Sequence, residues 1–206
     1  MTERSPFPGA LRVVHVIDTE GARDGAFVDA LLEGGVTCLW LRDPGASGRA
    51  LYEAAGGLLL RCRRLEAALI VGDRVDVAVS VAADGVQLGA RAAPARAVRP
   101  WYRGWLGVSC HDAAELCEAE AAGADHVVLS PVFGVPDKGA PLGVERFRAL
   151  AREIHRPVVA LGGIDADNAA EVVAAGAAGV AAIRSLRDAP DPGEAARRLA
   201  AAVTGR

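Results

Sequence analysis

Aromatic residues are scarce in this sequence, at 4% of its 206 residues, although 51% of the residues are hydrophobic. The core must therefore consist mainly of Ala, Val and Leu, which suits alanine-rich helices packed on valine-rich strands in an α/β protein. No apolar run reaches the length that crosses a membrane, and residues 1–10 lack the apolar stretch of a signal peptide. These absences predict a cytoplasmic protein that has no membrane partner.

An excess of positive charge and closely paired cysteines are also missing. The net charge of −3 argues against a nucleic-acid partner and leaves small molecules as the expected ligands. None of the four cysteines belongs to a CxxC motif, so reduced thiols are expected.

Short apolar segments alternate with helical ones along the whole chain. The sequence predicts strands over residues 11–18, 37–42, 68–71, 85–88, 105–109, 126–129, 157–161 and 179–183. Eight such units favour a closed (β/α)8 barrel, because an open doubly wound sheet usually needs only about five or six strands. No linker divides the chain, so residues 1–206 are predicted to form a single α/β domain, with a flexible N-terminus over residues 1–10.

The strongest functional signal is the stretch Pro157–Asn168, PVVALGGIDADN. A buried strand ends there in two glycines, which let a ligand approach the backbone closely. The last predicted strand ends in an arginine and a serine. In a (β/α)8 barrel the loops after strands seven and eight form the usual phosphate-binding site. A tight strand-to-helix turn is the alternative for either loop alone, but the pair predicts phosphate binding by Gly162, Gly163, Arg184 and Ser185.

Polar residues also follow most of the other predicted strands. In a closed barrel these strand ends meet at one rim, where this fold carries its chemistry. Together they supply cations, carboxylates and a histidine, which suit an anionic ligand and proton transfer. The candidates are Asp18, Arg42, Asp73, Gln87, Ser109, His111, Ser130 and Lys138.

The longest irregular stretch of the chain is Ser130–Gly143, which is rich in glycine and proline. Such a loop is long for a connection inside a barrel and suggests a cover over a site. We predict a mobile lid that brings Lys138 to the ligand when it closes.

An ordered series of motifs resembles the thiamin phosphate synthase/TenI superfamily from Val14 to Leu199. The series includes LWLRD at 39–43, VGDRVDVAVS at 71–80, GVSCH at 107–111, SPVF at 130–133 and LGGIDADN at 161–168. The resemblance implies a thiamin-biosynthesis barrel whose partner is a phosphorylated thiazole, and it leaves a homodimer open. Synthases of this superfamily join the thiazole phosphate to a pyrimidine diphosphate, whereas TenI-type members include an aromatase that moves a double bond within the thiazole.

The chain departs from the synthase pattern where diphosphate and magnesium would be held. Pro44 occupies the position of a lysine, which leaves Arg42 as the surviving cation there. Ala92 occupies the position of the second acidic magnesium ligand, which leaves Asp73 alone, and a lone carboxylate is a poor Mg²⁺ site. No metal or cofactor is therefore expected, and Mg²⁺ enters only if the protein is a synthase. Trp40 and Gly72 also replace a glutamine and an asparagine of the pattern.

These departures place a metal-independent TenI-like thiazole tautomerase first among the hypotheses. Pro131 occupies the position where tautomerases carry a histidine, so His111 is the remaining candidate for proton transfer. A histidine at the start of the following helix is the competing role for His111.

Two other hypotheses stay open. The first is a thiamin phosphate synthase with a rewired diphosphate site, in which Asp18 or Asp43 supplies a carboxylate and Arg91 or Arg49 a cation. The second is a non-catalytic barrel that binds a phosphorylated metabolite, since retained phosphate loops with lost catalytic groups would give a similar sequence.

Overall fold

The structure, a computed structural model, describes residues 7–136 and 139–205. Eight parallel strands pair in chain order and close into a barrel, with the last strand beside the first. The predicted single-domain (β/α)8 fold is thereby confirmed. The strands are β1 (Val13–Ile17), β2 (Cys38–Leu41), β3 (Ala68–Gly72), β4 (Gly85–Leu88), β5 (Trp105–Cys110), β6 (His126–Leu129), β7 (Val158–Leu161) and β8 (Gly179–Ala182).

Helices connect successive strands. Within the described residues they are α1 (Gly25–Glu33), α2 (Gly48–Arg64), α3 (Val75–Val81), α4 (Ala95–Val98), α5 (Ala113–Ala121), α6 (Gly143–Ala151), α7 (Ala169–Ala174), α8 (Arg184–Arg187) and α9 (Pro192–Thr204). The single turn α8 lies between β8 and the last helix. It matters for the site because it begins at Arg184, at the end of β8.

Short polar side chains fix the starts of several helices. The residue before each of these helices accepts a backbone N–H from three residues further on, which satisfies a donor that the helix itself leaves unpaired. The bonds run from Phe27 to Asp24, from Ala50 to Ser47, from Glu115 to Asp112 and from Glu194 to Asp191, at 2.9–3.2 Å.

Two hydrophobic layers enclose the strands. The larger layer lies between strands and helices, and the smaller one fills the barrel interior with residues such as Val14, Trp40 and Ile70. Phe7 closes the base of the barrel, where its ring centroid lies 5.2 Å from that of Trp105. Phe7 and the buried Ala10 pack into that interior layer. The flexibility of residues 1–10 stays a prediction, and residues 1–6 lie outside the described chain.

All four cysteines carry free thiols, and three of them are buried. No helix in the described ranges is long and apolar enough to cross a membrane.

Candidate active site

A cavity of about 1050 Å³ opens at the C-terminal ends of the strands. This is the end of the barrel where the sequence analysis expects the site. The predicted residues that line it are Arg42, Asp73, Ser109, His111, Ser130, Gly162, Gly163, Arg184 and Ser185.

Three other predicted residues are not among the described residues that line the cavity. Gln87 is 1% exposed and lies inside the barrel beneath the cavity, rather than at its mouth. Asp18 turns to its own loop, where its Oδ1 accepts the backbone N–H of Gly21 at 2.8 Å. Lys138 falls outside the described residues, so its reach toward a ligand stays a prediction.

Glycine is required at the turn after β7. Gly162 and Gly163 have φ of +105° and +65°, which disfavour any residue with a side chain. A Cβ on Gly162 would lie 2.7 Å from Cα of Pro131, and one on Gly163 would lie 2.7 Å from Cβ of Phe133. The loop after β6 therefore packs directly against this turn, and the N–H of Phe133 donates to the carbonyl of Gly162 at 2.9 Å.

Hydrogen bonds hold the loops after β7 and β8 in fixed positions. The side-chain amide of Asn168 donates to the carbonyl of Gly163 at 2.8 Å, and the Ser185 hydroxyl donates to the carbonyl of Ile164 at 2.7 Å. Ser185 and Arg184 begin α8, so their N–H groups have no partner within that helix. Free N–H groups of this kind suit a phosphate, and phosphate binding here stays our prediction.

On the opposite side of the cavity, Asp73 joins the ends of β3 and β4. Its Oδ1 accepts the N–H of Gly89 at 2.7 Å, and its own N–H donates to the carbonyl of Gln87 at 2.9 Å. One carboxylate oxygen is therefore already engaged. The described residues contain no cluster of three or more His, Cys, Asp or Glu side chains that could hold a metal ion. Mg²⁺ is usually held by one or two carboxylates together with substrate phosphates, and on this side of the cavity Asp73 is the predicted carboxylate that could contribute.

Four arginines line the cavity and form no side-chain hydrogen bond or ion pair within the described residues; they are Arg42, Arg91, Arg146 and Arg184. Most other arginines of the barrel are paired: Arg49, for example, lies 2.9 Å from Glu53. Of the two cations considered as replacements for the lost lysine, Arg91 therefore reaches the cavity and Arg49 does not.

Neither carboxylate considered as a replacement metal ligand lines the cavity. Asp43 is engaged by Thr19, whose hydroxyl donates to Oδ2 at 2.5 Å. That hydrogen bond lowers the pKa of Asp43. Of the groups considered as replacements, Arg91 therefore lines the cavity, whereas Asp18 and Asp43 do not.

Two departures from the synthase pattern form one packing unit. Trp40 is 5% exposed and lines the cavity from below. A Cβ on Gly72 would lie 3.0 Å from Nε1 of Trp40. The indole occupies space that a side chain at residue 72 would need, so the tryptophan in this position favours glycine at residue 72.

His111 lines the cavity and also contacts the start of α5. Its Nδ1 lies 2.9 Å from Oε2 of Glu115, and its backbone N–H donates to the same oxygen at 2.7 Å. Both roles considered for this histidine are therefore compatible with its position. Burial raises the pKa of the neighbouring Cys110 thiol to about 12, which disfavours the nucleophilic thiolate.

Comparison with known proteins identifies the family. The sequence model of the family described as thiamine monophosphate synthase, TMP-TENI, matches residues 13–186. The chain belongs to this family. The resemblance seen in the motifs is confirmed, and the protein is an enzyme of the thiamin-biosynthesis barrel type.

Relatives match over nearly the full length. The chain is 42% identical over 192 residues to a putative thiamine-phosphate synthase of Geobacter sulfurreducens, with 90% of each chain covered. It is 37% identical over 209 residues to a thiamine-phosphate synthase of Chloroflexus aurantiacus, covering 94% of this chain and 97% of the relative. Among solved structures, a thiamine phosphate pyrophosphorylase from Pyrococcus furiosus matches with a TM-score of 0.88 at 34% identity, covering 96% and 97% of the two chains.

Proposed function

We propose that this protein is a thiamine-phosphate synthase, which joins a thiazole phosphate to a pyrimidine diphosphate with release of diphosphate. Relatives that carry this name match nearly the whole chain, which supports the synthase over the TenI-like tautomerase placed first by the sequence patterns. The observation that carries the proposal is Arg91 in the cavity lining. It supplies a cation on the side where the sequence pattern has lost one at Pro44.

The cavity has separate places for two anions. On one side, the loops at Gly162–Gly163 and Arg184–Ser185 offer backbone N–H groups to the thiazole phosphate. On the other side, Arg42 and Arg91 offer guanidinium groups to the diphosphate. A volume of about 1050 Å³ lies at the upper end of the usual range for ligand sites, which leaves room for both substrates.

The reaction needs orientation and charge stabilisation. The bond between the pyrimidine and the thiazole forms as the bond to diphosphate breaks, and the bonding electron pair leaves with the diphosphate. Arg42 and Arg91 stabilise that developing negative charge, which is commonly the largest catalytic contribution of a site. Fixing the thiazole phosphate at the β7–β8 loops holds the attacking ring in place.

The residues on the diphosphate side offer little to a magnesium ion. Asp73 already accepts a hydrogen bond from Gly89, and Ala92 provides no second carboxylate. We therefore assign no step to a metal and expect the two arginines to carry most of the charge stabilisation.

The test is a reconstitution with purified protein. Thiazole phosphate and pyrimidine diphosphate are supplied together, with Mg²⁺ or with a chelator, and thiamin phosphate and diphosphate are measured. Formation of both products supports the synthase. Conversion of a thiazole carboxylate phosphate to an isomer without the pyrimidine substrate would indicate the tautomerase instead. Binding of both substrates with no product would indicate the non-catalytic barrel.

A further inference from the structure

A chain of polar side chains runs through the barrel interior to the floor of the cavity. Nε2 of His126 lies 3.0 Å from Oε1 of Gln87, and Nε2 of Gln87 donates to the hydroxyl of Ser109 at 3.1 Å. Gln87 and His126 are each 1% exposed. Ser109 lines the cavity, so the buried chain ends at the ligand site.

A glycine makes this chain possible. Gln87, Gly107 and His126 lie at one level on β4, β5 and β6. Side chains from β4 and β6 can meet only across β5, and a Cβ on Gly107 would collide with both Oε1 of Gln87 and Nε2 of His126. The absence of a side chain at residue 107 therefore lets the amide and the imidazole form their hydrogen bond.

The orientation of the Gln87 amide in this structure, with its oxygen toward His126 and its nitrogen toward Ser109, sets the direction of each hydrogen bond in the chain. An amide oxygen only accepts, so Nε2 of His126 carries the hydrogen that it donates to Gln87. Burial lowers the pKa of His126 to about 4, opposed only by the neighbouring Asp125, so the ring is neutral and its Nδ1 carries no hydrogen. The amide nitrogen of Gln87 only donates, so the Ser109 oxygen accepts. The Ser109 proton then has no acceptor among the described residues and is free for a ligand.

We propose that Gln87 and His126 are positioning residues that hold the Ser109 hydroxyl as a hydrogen-bond donor to an acceptor atom of the bound substrate. This inference rests on the proposed function for the identity of the ligand. It assigns Gln87, which the sequence analysis placed at the mouth of the barrel, a role one level below. Such a donor favours substrates that present a phosphate oxygen or a ring nitrogen at this point of the cavity.

A double-mutant cycle tests the coupling. The variants are Ser109→Ala, Gln87→Met and the double variant, and the readout is the Kd of thiazole phosphate and, separately, of pyrimidine diphosphate. We expect each single variant to weaken binding of one of the two by about three- to tenfold, the effect of one lost hydrogen bond. Gln87→Met should add nothing in the Ser109→Ala background, because it acts through that hydroxyl.

Two results would overturn the proposal. One is that Gln87→Met weakens binding by the same factor in the wild-type protein and in the Ser109→Ala variant. Gln87 would then have a merely structural role. The other is unchanged binding of both ligands in Ser109→Ala. Thr37→Val serves as the control, since it removes hydrogen bonds to Val13 at 3.0 and 3.1 Å at the opposite end of the barrel. It should lower stability without changing either Kd.

A measurement on the unaltered protein covers the case in which Gln87→Met fails to fold. Nitrogen NMR of histidine-labelled protein identifies which ring nitrogen of His126 carries hydrogen. We expect hydrogen on Nε2 throughout pH 5.5–8. Hydrogen on Nδ1 would reverse the chain, make Ser109 donate to Gln87 and overturn the proposal. Neither this measurement nor the binding cycle depends on turnover, so a wild-type protein that makes no thiamin phosphate would contradict the proposed function alone.

Discussion

The two sides of the cavity present different kinds of groups to a ligand, backbone groups on one side and side chains on the other. At the ends of β7 and β8 the proposed phosphate site consists of backbone, held by glycines and by the short bonds from Asn168 and Ser185. At the ends of β2 and β4 the proposed diphosphate site consists of two long side chains, Arg42 and Arg91. Neither side chain has a protein partner within the described residues. A backbone site depends on the conformation of its loop. A side-chain site can lose a cation at one position and regain it from another, which is how we interpret Pro44 and Arg91.

The largest effect is expected from placing a side chain in the backbone site. Gly162→Ala should weaken binding of thiazole phosphate on the order of 100-fold. The added methyl group collides with Pro131, and this collision together with a φ strain of roughly 1–3 kcal/mol displaces the N–H groups that would bind the phosphate. Calorimetric titration measures the loss.

Gly176→Ala provides a matched control for that substitution. Gly176 has a φ of +108°, close to the +105° of Gly162, but a Cβ there would meet only the Cβ of Ala151, at 3.8 Å. Both variants should lose stability, and only Gly162→Ala should lose the ligand. An equal loss of binding in the two variants would contradict a local phosphate site after β7.

The proposed diphosphate site should bind its ligand more weakly when one of its two arginines is removed. Arg91→Ala should weaken binding of pyrimidine diphosphate by about tenfold or somewhat more, the effect of losing a hydrogen bond between charged groups. The affinity of this variant for thiazole phosphate should stay the same, which would show that the two anions bind at different sites. Arg49→Ala is the control, because its side chain is 88% exposed and is paired with Glu53. If Arg49→Ala and Arg91→Ala had the same effect, general surface charge and not the cavity would explain it.

The lid prediction can be tested through the lysine content. Lys138 is the single lysine of the sequence. An amine-directed reagent therefore modifies this side chain and the N-terminal amine. If Lys138 reaches the ligand, a saturating substrate at ten times its Kd should slow this modification about tenfold, as measured by mass spectrometry. Equal rates with and without substrate would make residues 130–143 a loop that does not close on the ligand through Lys138.

The smallest effect is expected at His111. Departure of diphosphate needs no proton transfer from the protein in our scheme, so His111→Asn should change the rate of thiamin phosphate formation by less than about threefold. A general acid or base typically contributes about 10²–10⁴-fold. A loss of that size in steady-state assays of thiamin phosphate formation would contradict this expectation and assign His111 a proton-transfer role in the reaction.

The strands and the glycine turn could be predicted because their signals are local. An apolar run such as 158–161 followed by two glycines defines both a buried strand and its end, and chain order then places the last two loops side by side. The lining by Arg42 and Asp73 follows from the same rule, since both come directly after a strand.

Other parts of the site depend on depth and on distant segments, which a linear pattern does not contain. Gln87 lies near the end of β4 in the sequence but below the cavity in space, because Gly89–Arg91 continue past it to the rim. Arg146 lines the cavity from α6 rather than from a strand end, and no spacing rule points to it. Phe7 lies outside the repeat of strands and helices, so only the closed barrel reveals that it seals the base.

The contact between Trp40 and Gly72 constrains the order in which this cavity could have changed. With Cβ of residue 72 only 3.0 Å from the indole nitrogen, a tryptophan at residue 40 and an asparagine at residue 72 compete for one volume. A path from the synthase pattern to this sequence is therefore open if the glycine is acquired first and obstructed if the tryptophan is. The same asymmetry governs the return, since an asparagine restored beside the tryptophan requires the indole to move.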